Sequence, residues 1–348
     1  MWKRLSMALG LFASFSSPLR AQPAPALRAE VPIREVVLSD GTRRYGAPIT
    51  VGATQIEAGL DSGSTGLRIL PNVLKEGDAR PSSRSDSYFY GAGAKFDGVV
   101  GDASVTVGAL RGDTTVQLVR HVGCTDEKPR CAAGSLPLSQ YGVQGDGLPG
   151  EGFKAILGVN MADAKAASLF KGIGARRWII ELPRPGELSG RIVLNPTDAE
   201  VQGFTTVPII DSFSGVSGGL HDAVRGCLVN ETSHEKLCGA ALLDTGDPGL
   251  RIVRPESPAR PWPNETPATL VFADAAGKVR VAERLIIGRK EHASRLTFEE
   301  KPKVTGTLLF TGLTPYFAYS ILCDPAHGTV GFKPRPTVLG GPQPIAVN

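Results

Sequence analysis

Several features that define large protein classes are missing from this sequence. The five histidines are scattered, and no Cys-x-x-Cys pair or Cys/His spacing suggests a zinc site. No segment approaches the roughly 20 apolar residues that span a bilayer. Strand and helix patterns do not alternate regularly, and no repeat of roughly 20–50 residues is visible. We therefore expect no metal, no cofactor, no transmembrane segment, no doubly wound α/β fold and no solenoid.

The chain also lacks a charge excess once its amino terminus is considered. Lys3 and Arg4 precede a short apolar run at residues 5–15, and small residues follow, as in a secretory signal cleaved after Ala21. Removing residues 1–21 takes three of the 38 basic residues and none of the 34 acidic ones. A balance of 35 against 34 gives no electrostatic basis for binding nucleic acid. We expect an exported protein, periplasmic or secreted.

Cysteines are few, and their spacing suggests local pairing. Cys124 with Cys131, and Cys227 with Cys238, would each close a short loop within one half of the chain. Export makes such disulfides possible. Cys323 would be left over, in an apolar stretch where it packs as a small hydrophobe. The alternative is that all five are free thiols.

Glycine and proline are abundant and occur throughout the chain. The 42 glycines and 27 prolines favour short strands and turns over long helices. One brief helix is predicted at residues 162–170, and a crossing between two halves near residues 183–195. This distribution of short strands and turns predicts an all-β protein with two similar halves. The predicted strands are 44–51, 55–60, 67–70, 97–107, 178–182, 190–194, 238–243, 250–253, 269–272, 279–287 and 319–332.

One local pattern occurs twice, far apart in the chain. Residues 58–69 read AGLDSGSTGLRI, and residues 241–252 read ALLDTGDPGLRI. Each copy has an apolar approach, then Asp-(Ser/Thr)-Gly, then a turn that leads into Gly-Leu-Arg-Ile. Asp61 and Asp244 are the only aspartates of the sequence that begin an Asp-(Ser/Thr)-Gly pattern. A single Asp-(Ser/Thr)-Gly is weak evidence for a functional site, because an aspartate in an ordinary surface turn can have the same sequence. The matched pair is much stronger evidence.

The repeated pattern suits a particular chemistry. Each apolar strand would bring a carboxylate out of a sheet into a tight turn, where glycine permits unusual backbone angles. Two such turns related by a pseudo-twofold axis would bring the two carboxylates together, so that they share one proton. The ionised member can activate water, and the protonated member can donate to a peptide carbonyl. The residues expected to support the pair are Ser62, Gly63, Ser64, Thr245 and Gly246.

With these motifs the sequence resembles the pepsin family of two-lobed aspartic endopeptidases. The resemblance covers nearly all of residues 44–334 and includes RYGAPITVG at 44–52, FKAILG at 153–158, and YFAYSILCD followed by GTVGF at 316–332. It implies an all-β, two-lobed pepsin-like β-barrel fold with a central cleft. The implied organisation is a signal peptide (1–21), a tether (22–43), an N-terminal lobe (44–189), a C-terminal lobe (190–334) and a tail (335–348).

The resemblance also implies roles for particular residues. Asp61 and Asp244 would be the catalytic pair that hydrolyses peptide bonds through one water, in a monomer whose partner is a peptide or protein substrate. Ser62 and Thr245 would grip each other across the lobes, and Ser64 would bond the outer oxygen of Asp61. The substrate-binding flap would be Tyr90, Gly91, Ala92 and Gly93.

Three residues depart from the family pattern. Arg68 stands where an aromatic residue usually braces the flap tyrosine, and Asp247 stands where a hydroxyl usually supports the second aspartate. Thr311 replaces an aliphatic residue. Only about 23 residues separate Ala21 from Tyr45, too few for a long inhibitory prosegment, so the chain resembles the bacterial-type version.

Other functions remain open. A pepsin-fold protein can lose catalysis and keep a cleft that binds peptide or protein, and Asp247 and Arg68 favour this alternative. Ser217, with Asp211 and His221 nearby, fits a serine-hydrolase elbow, but its surroundings are rich in serine and glycine rather than strand and helix. Residues 145–150 match GxGxxG without a preceding strand.

Overall fold

The computed structural model describes residues 26–162, 168–210, 222–256 and 261–347. The predicted signal peptide (1–21) lies outside these ranges. So do Asp211, Ser217 and His221 of the serine-elbow pattern, and residues 163–167 of the predicted helix. Next to that gap, a helix runs over Leu169–Gly172.

The all-β prediction is confirmed. The described residues form three short helices, α1 (Leu169–Gly172), α2 (Asp198–Val201) and α3 (Thr314–Ala318). In the first part of the chain the strands are β1 (Ala29–Val37), β2 (Arg43–Val51), β3 (Thr54–Asp61), β4 (Thr65–Ile69), β5 (Ala79–Phe89), β6 (Ala94–Val107), β7 (Leu110–Cys124), β8 (Ala155–Val159), β9 (Trp178–Glu181) and β10 (Gly190–Leu194).

Further along the chain the strands are β11 (Thr205–Pro208), β12 (Val224–Asn230), β13 (Lys236–Leu242), β14 (Leu250–Arg254), β15 (Pro267–Ala273), β16 (Val279–Ile286), β17 (Leu296–Glu300), β18 (Leu308–Phe310), β19 (Tyr319–Asp324), β20 (Thr329–Pro334) and β21 (Gln343–Ile345).

These strands form two large sheets. The first has the order β11-β20-β19-β9-β10-β1-β2-β3-β8-β4-β7-β6-β5, and the second has the order β17-β14-β18-β13-β12-β15-β16-β21. Strands β11, β19 and β20 follow residue 200 in the chain yet belong to the first sheet, where β19 pairs with β9. The carboxyl-terminal part of the chain is therefore tied to the amino-terminal part by backbone hydrogen bonds.

The same five-strand arrangement occurs once in each sheet. In the first, β3 is antiparallel to β2 and parallel to β8, β8 is antiparallel to β4, and β4 is parallel to β7. In the second, β13 is antiparallel to β12 and parallel to β18, β18 is antiparallel to β14, and β14 is parallel to β17. The β3–β4 and β13–β14 connections hold the two copies of the repeated sequence pattern. The sequence repeat is thus also a structural repeat.

Burial is greatest in the middle of the arrangement in the first sheet. Every residue of β4 and β8 is buried, as expected for strands covered on both faces. Strand β6, farther out in the sheet, alternates between buried and less buried positions, which matches its alternating sequence. The Asp61 turn therefore leads into a fully buried strand, β4, which pairs with another fully buried strand, β8.

The segments predicted to be a tether and a tail both contain a strand. In the tether (22–43), Val31 and Ile33 are almost fully buried, and β1 pairs with both β10 and β2. In the tail (335–348), β21 pairs with β16. The predicted strand at 319–332 is two strands, β19 and β20, joined by a turn. The strand at 190–194 has the predicted bounds.

Both predicted disulfides are confirmed. Cys124 is bonded to Cys131, and Cys227 is bonded to Cys238 across the β12–β13 pair. Cys323 is a free, buried cysteine. Within the described ranges, no helix combines the length and apolar character needed to cross a membrane.

Candidate active site

The two aspartates lie at the ends of matching strands. Asp61 is the last residue of β3, where it pairs with Gly158 of β8. Asp244 follows the end of β13 by two residues. A side chain at Gly158 would lie 2.7 Å from the backbone of Thr65, and one at Gly312 would lie 2.1 Å from the carbonyl oxygen of Gly249. Gly158 and Gly312 therefore each lie so close to the backbone of an aspartate turn that there is no room for a side chain.

The turns bring the two carboxyl groups into contact, and the glycines beside the aspartates make this possible. A methyl group at Gly63 would lie 2.6 Å from the carboxyl carbon of Asp244, and one at Gly246 would lie 2.7 Å from Oδ1 of Asp61. Each glycine therefore faces the aspartate of the other copy. The carboxyl groups of Asp61 and Asp244 therefore lie side by side and line the same cavity.

A reciprocal set of hydrogen bonds locks the two turns together. The Ser62 amide donates to Oγ1 of Thr245 (3.0 Å), and the Thr245 amide donates to Oγ of Ser62 (2.9 Å). Each hydroxyl then donates across to a backbone carbonyl of the other copy, Ser62 to Leu243 (2.7 Å) and Thr245 to Leu60 (3.1 Å). Both side chains are buried. The spacing of the carboxyl groups is thus fixed by four short contacts.

The surroundings of the two carboxylates are not equivalent. Asp61 accepts from the Gly63 amide at Oδ1 (2.9 Å) and from the Ser64 hydroxyl at Oδ2 (2.5 Å). Asp244 accepts from the Gly246 amide at Oδ1 (2.9 Å). The residue in the position of Ser64 is Asp247, which has no hydroxyl to offer. Asp61 is therefore the better stabilised anion of the two.

Because their surroundings differ, the carboxyl groups of Asp61 and Asp244 differ in pKa. Burial raises the pKa of Asp61, but hydrogen bonds from Ser64, Gly63 and Asp244 and the charge of Arg68 oppose the increase. Burial raises the pKa of Asp244 well above its usual value, and the negative charges of Asp61 and Asp247 raise it further. Asp244 is therefore the weaker acid of the two.

The departures from the family pattern have distinct structural consequences. Arg68 is almost fully buried, and its guanidinium carbon lies 3.3 Å from the ring centre of Tyr88. Asp247 forms an ion pair with Arg251 (2.9 Å), so it does not simply point to solvent. Thr311 is buried and donates its hydroxyl to the Leu242 carbonyl (3.1 Å).

The two arginines of the repeated Gly-Leu-Arg-Ile each stack on an aromatic ring. Arg68 stacks on Tyr88, and the guanidinium carbon of Arg251 lies 3.7 Å from the ring centre of Phe310.

The predicted flap is the tip of a long hairpin formed by β5 and β6. Residues 90–93 make the turn, and Tyr90 packs edge-on against Tyr88 and Phe96. Gly93 has a positive φ of 95°, and a side chain there would meet Lys128. Tyr88 and Tyr90 line the same cavity as the two aspartates. The tip of this hairpin therefore lines the cavity that contains the aspartate pair.

That cavity is a cleft of about 470 Å³ bridged by ion pairs. Lys128, in the loop closed by the first disulfide, pairs with Glu299 of β17 (2.9 Å) and donates to the flap carbonyl of Gly91 (2.7 Å). Arg251 also contacts Glu299 (3.3 Å), and Lys301 lies 3.6 Å from Glu127. The pairs of Lys128 with Glu299 and of Lys301 with Glu127 join the disulfide loop to the second sheet, and the bond from Lys128 to Gly91 connects that loop to the hairpin tip.

Sequence reasoning missed several residues near the pair. Tyr88, which lines the same cavity as the aspartates, could have been found because it lies two positions before Tyr90, and alternate residues of an extended chain point to the same side. Asn160 donates to the Ser62 carbonyl (3.2 Å), and Tyr316 contacts Oγ of Ser62 (2.9 Å). Nothing in the sequence around Asn160 indicated that it lies near the aspartates. Tyr316 lay inside a quoted motif without an assigned role.

The remaining motifs do not form a site in the described residues. The GxGxxG match at residues 145–150 lies in a turn-rich loop, with neither a strand leading into it nor a helix after it. No group of three or more histidine, cysteine, aspartate or glutamate side chains is positioned to hold a metal ion within the described ranges.

A scan against models of known protein families found no match to this chain. A search of curated proteins found no match either.

Proposed function

We propose that this protein is an aspartic endopeptidase of the pepsin type, which hydrolyses peptide bonds with Asp61 and Asp244. The observation that supports this most strongly is that the buried Asp61 and the partly buried Asp244 lie side by side. Asp61 ends β3 and Asp244 follows β13, which are the equivalent strands of the two five-strand arrangements. The pseudo-symmetric strands, the covering hairpin and the cleft all agree with a two-lobed pepsin-like fold. The lobe boundaries near residues 44, 190 and 334 belong to this proposal.

The mechanism follows from the shared proton. Two full negative charges about 3 Å apart repel by about 5 kcal/mol at an effective dielectric near 20, so one carboxyl group keeps its proton. Asp61, with the larger number of hydrogen-bond donors, would be the anion that takes a proton from water. Asp244 would donate its proton to the carbonyl oxygen of the scissile bond. This division of roles needs no covalent intermediate.

The interlocked turns would serve to hold the carboxyl groups in a fixed geometry. Ser62 and Thr245 are each bonded at both the amide and the hydroxyl, so neither turn can shift without breaking several buried hydrogen bonds. Preorganised groups of this kind contribute to catalysis because they need no rearrangement during the reaction.

The cleft would take an extended segment of a peptide or protein. Its volume of about 470 Å³ suits a few side chains around the scissile bond, and its walls include the flap tyrosines. Closing Tyr88 and Tyr90 over the substrate would exclude water from the aspartate pair. The ion pairs of Lys128 with Glu299 and Lys301 with Glu127 would have to yield when a substrate enters.

The direct test is hydrolysis of a peptide library by the mature chain and by Asp61→Ala and Asp244→Ala. Both variants should lose detectable turnover while their circular dichroism and melting temperature show an intact fold. A statine-type transition-state mimic should inhibit the wild-type protein. Turnover like that of the wild type in either folded variant would refute the proposal.

One observation favours a second function, that of a catalytically weak or inactive pepsin-fold protein that binds peptide or protein. The cleft is bridged by ion pairs between the two sheets, and Arg251 lies against the flap tip at Gly91. If the mature chain binds the statine-type mimic or a peptide at the aspartate pair but cleaves no member of the library, this second function is the correct one.

The two disulfides support the proposal that the protein works in an oxidising compartment outside the cytoplasm, periplasmic or extracellular. We further propose that it acts as a monomer. Size-exclusion chromatography with light scattering on the mature chain tests this, and a stable dimer would refute it.

A further inference from the structure

A buried arginine of the first sheet reaches the second aspartate turn. Arg44 is the second residue of β2, and only 5% of it is exposed. Its Nη1 donates to the carbonyl oxygen of Gly246 (2.6 Å), which lies 202 positions further along the chain. Its Nη2 donates to Oδ1 of Asp146 and forms an ion pair with it. One guanidinium group therefore connects the Asp244 turn to the loop at residues 145–150.

The Gly246 carbonyl belongs to a peptide unit that is held at both ends. Arg44 holds the carbonyl oxygen, and the amide of the same unit, that of Asp247, donates to the Asp244 carbonyl (3.1 Å). The preceding amide, that of Gly246, donates to the Asp244 carboxyl group (2.9 Å). A methyl group at Gly246 would also lie 2.7 Å from Oδ1 of Asp61. The position of the Gly246 backbone therefore bears on both carboxyl groups.

The loop that provides Asp146 also reaches the approach to the first aspartate turn. Gln144 donates its side-chain amide to the Leu60 carbonyl (3.1 Å), which accepts from the Thr245 hydroxyl as well (3.1 Å). Asp146 has a positive φ of 54°, a conformation that aspartate and asparagine adopt more readily than most residues. The segment that matches GxGxxG thus lies behind the site and is bonded toward both turns.

Arg44 cannot act by touching a substrate, because neither Arg44 nor Asp146 lines the aspartate cleft. Its guanidinium group stays charged at every pH at which proteins function, so its hydrogen bonds persist across the range of the proposed reaction. Hydrogen bonds from a charged donor are also stronger than those between neutral groups. The contact with Gly246 is therefore suited to fixing a backbone position.

We propose that Arg44 is a positioning residue for Asp244, which fixes the Gly246 backbone beside the two carboxyl groups while Asp146 holds the guanidinium group in place. The inference rests on the proposed peptidase function, and it adds a residue from outside the cleft and from the other sheet. Loss of Arg44 should therefore affect the chemical step and leave substrate binding nearly unchanged.

The test compares Arg44→Met with Arg43→Met in steady-state peptide hydrolysis by the mature chain across pH. Arg43 is the matched control, because it is the neighbouring residue of β2 and its ion pair is with Glu35. Arg44→Met should lower kcat about tenfold, as expected for loss of one charge-assisted hydrogen bond, with KM changed less than about twofold. Arg43→Met should keep both constants and the pH profile.

The alkaline limb of the kcat/KM profile gives a readout that a loss of stability alone would not move. The bond from the Gly246 amide lowers the pKa of Asp244. Disturbing that bond raises the pKa, so in Arg44→Met the limb should move to higher pH by about half a unit. Asp146→Gly should act in the same direction, since it removes the acceptor of Arg44 and glycine tolerates the positive φ. Asp146→Asn keeps an acceptor oxygen and should lose less of kcat.

The outcomes separate this inference from the proposed function. If Arg44→Met does not fold, the two Asp146 variants decide, because a third of that side chain is exposed on a loop. If the wild-type chain hydrolyses no peptide, the proposed function fails, and ¹³C titration of the Asp244 carboxyl group decides instead. Its apparent pKa should then be higher in Arg44→Met or Asp146→Gly than in the wild type and Arg43→Met.

Three results would overturn the role of Arg44. The first is an Arg44→Met variant that keeps the kcat and the alkaline limb of Arg43→Met. The second is equal kcat in Asp146→Gly and Asp146→Asn. The third is an Asp244 carboxyl group that titrates alike in the two arginine variants.

Discussion

The hydroxyl of Thr245 connects the two aspartate turns, and replacing Thr245 with valine removes it at nearly constant volume. Two hydrogen bonds are lost, one accepted from the Ser62 amide (3.0 Å) and one donated to the Leu60 carbonyl (3.1 Å). The Leu60 carbonyl keeps a second donor, the Gln144 side-chain amide (3.1 Å). The Ser62 amide is left buried without a partner.

The expected cost follows from this difference. An unpaired buried donor costs about 1–3 kcal/mol, and a lost hydrogen bond whose acceptor keeps another partner costs about 0.5–1.5 kcal/mol. Thr245→Val should therefore lower the free energy of unfolding by about 2–4 kcal/mol in urea titrations. In the folded variant, kcat/KM should also fall, because the carboxyl groups lose their fixed spacing.

The control is Thr297→Val, which removes a longer hydroxyl contact to the Leu250 carbonyl (3.3 Å) on an exposed residue. That change should cost less than about 0.5 kcal/mol. In a double-mutant cycle, Ser62→Ala and Thr245→Val should be non-additive, because the two residues share the same contacts. If Thr245→Val unfolds with a free energy within about 0.5 kcal/mol of the wild type, the interlock does not stabilise the site.

Two further predictions concern charge. Asp247→Asn removes a negative charge that raises the pKa of Asp244, so the alkaline limb of the kcat/KM profile should move to lower pH, by up to about one unit, in peptide-hydrolysis assays; an unmoved or upward-shifted limb would contradict the assigned role of Asp247. Glu283 is fully buried, its carboxyl oxygens have no partner among the described residues, and burial raises its pKa to about 8. The wild-type free energy of unfolding should therefore fall by a few kcal/mol as pH rises from about 4.5 to about 8, since the unfolded state ionises first, and Glu283→Gln should flatten this dependence; equal slopes in urea titrations of the two proteins would count against it.

Much of the site could be predicted because it is encoded locally and twice. The matched Asp-(Ser/Thr)-Gly patterns indicated which residues come together, and the structure brings Asp61, Asp244, Ser62 and Thr245 into contact. Strand β10 was also predictable, because its apolar residues 192–194 lie between Gly190 and Pro196. Local pairing of cysteines succeeded for the same reason, since each bond closes a short loop.

The features that could not be predicted depend on contacts between residues that are far apart in the chain. Nothing in the sequence near Lys128 predicts its ion pair with Glu299, because the partner lies on another sheet. The tether predicted at residues 22–43 contains strand β1, because pairing with β2 and β10 buries Val31 and Ile33. The burial of Arg68 contradicts the usual preference of arginine for the surface. Its guanidinium packs against Tyr88 and donates to the Thr65 carbonyl, and the sequence indicates neither contact.

The central claim is that Asp61 and Asp244 share one proton, and the pH profile of kcat/KM from strongly acidic to mildly basic conditions tests it most directly. The account predicts a bell-shaped profile in which activity appears as Asp61 ionises and disappears as Asp244 loses its proton. A profile without two limbs, or one that persists in Asp244→Asn, would contradict it.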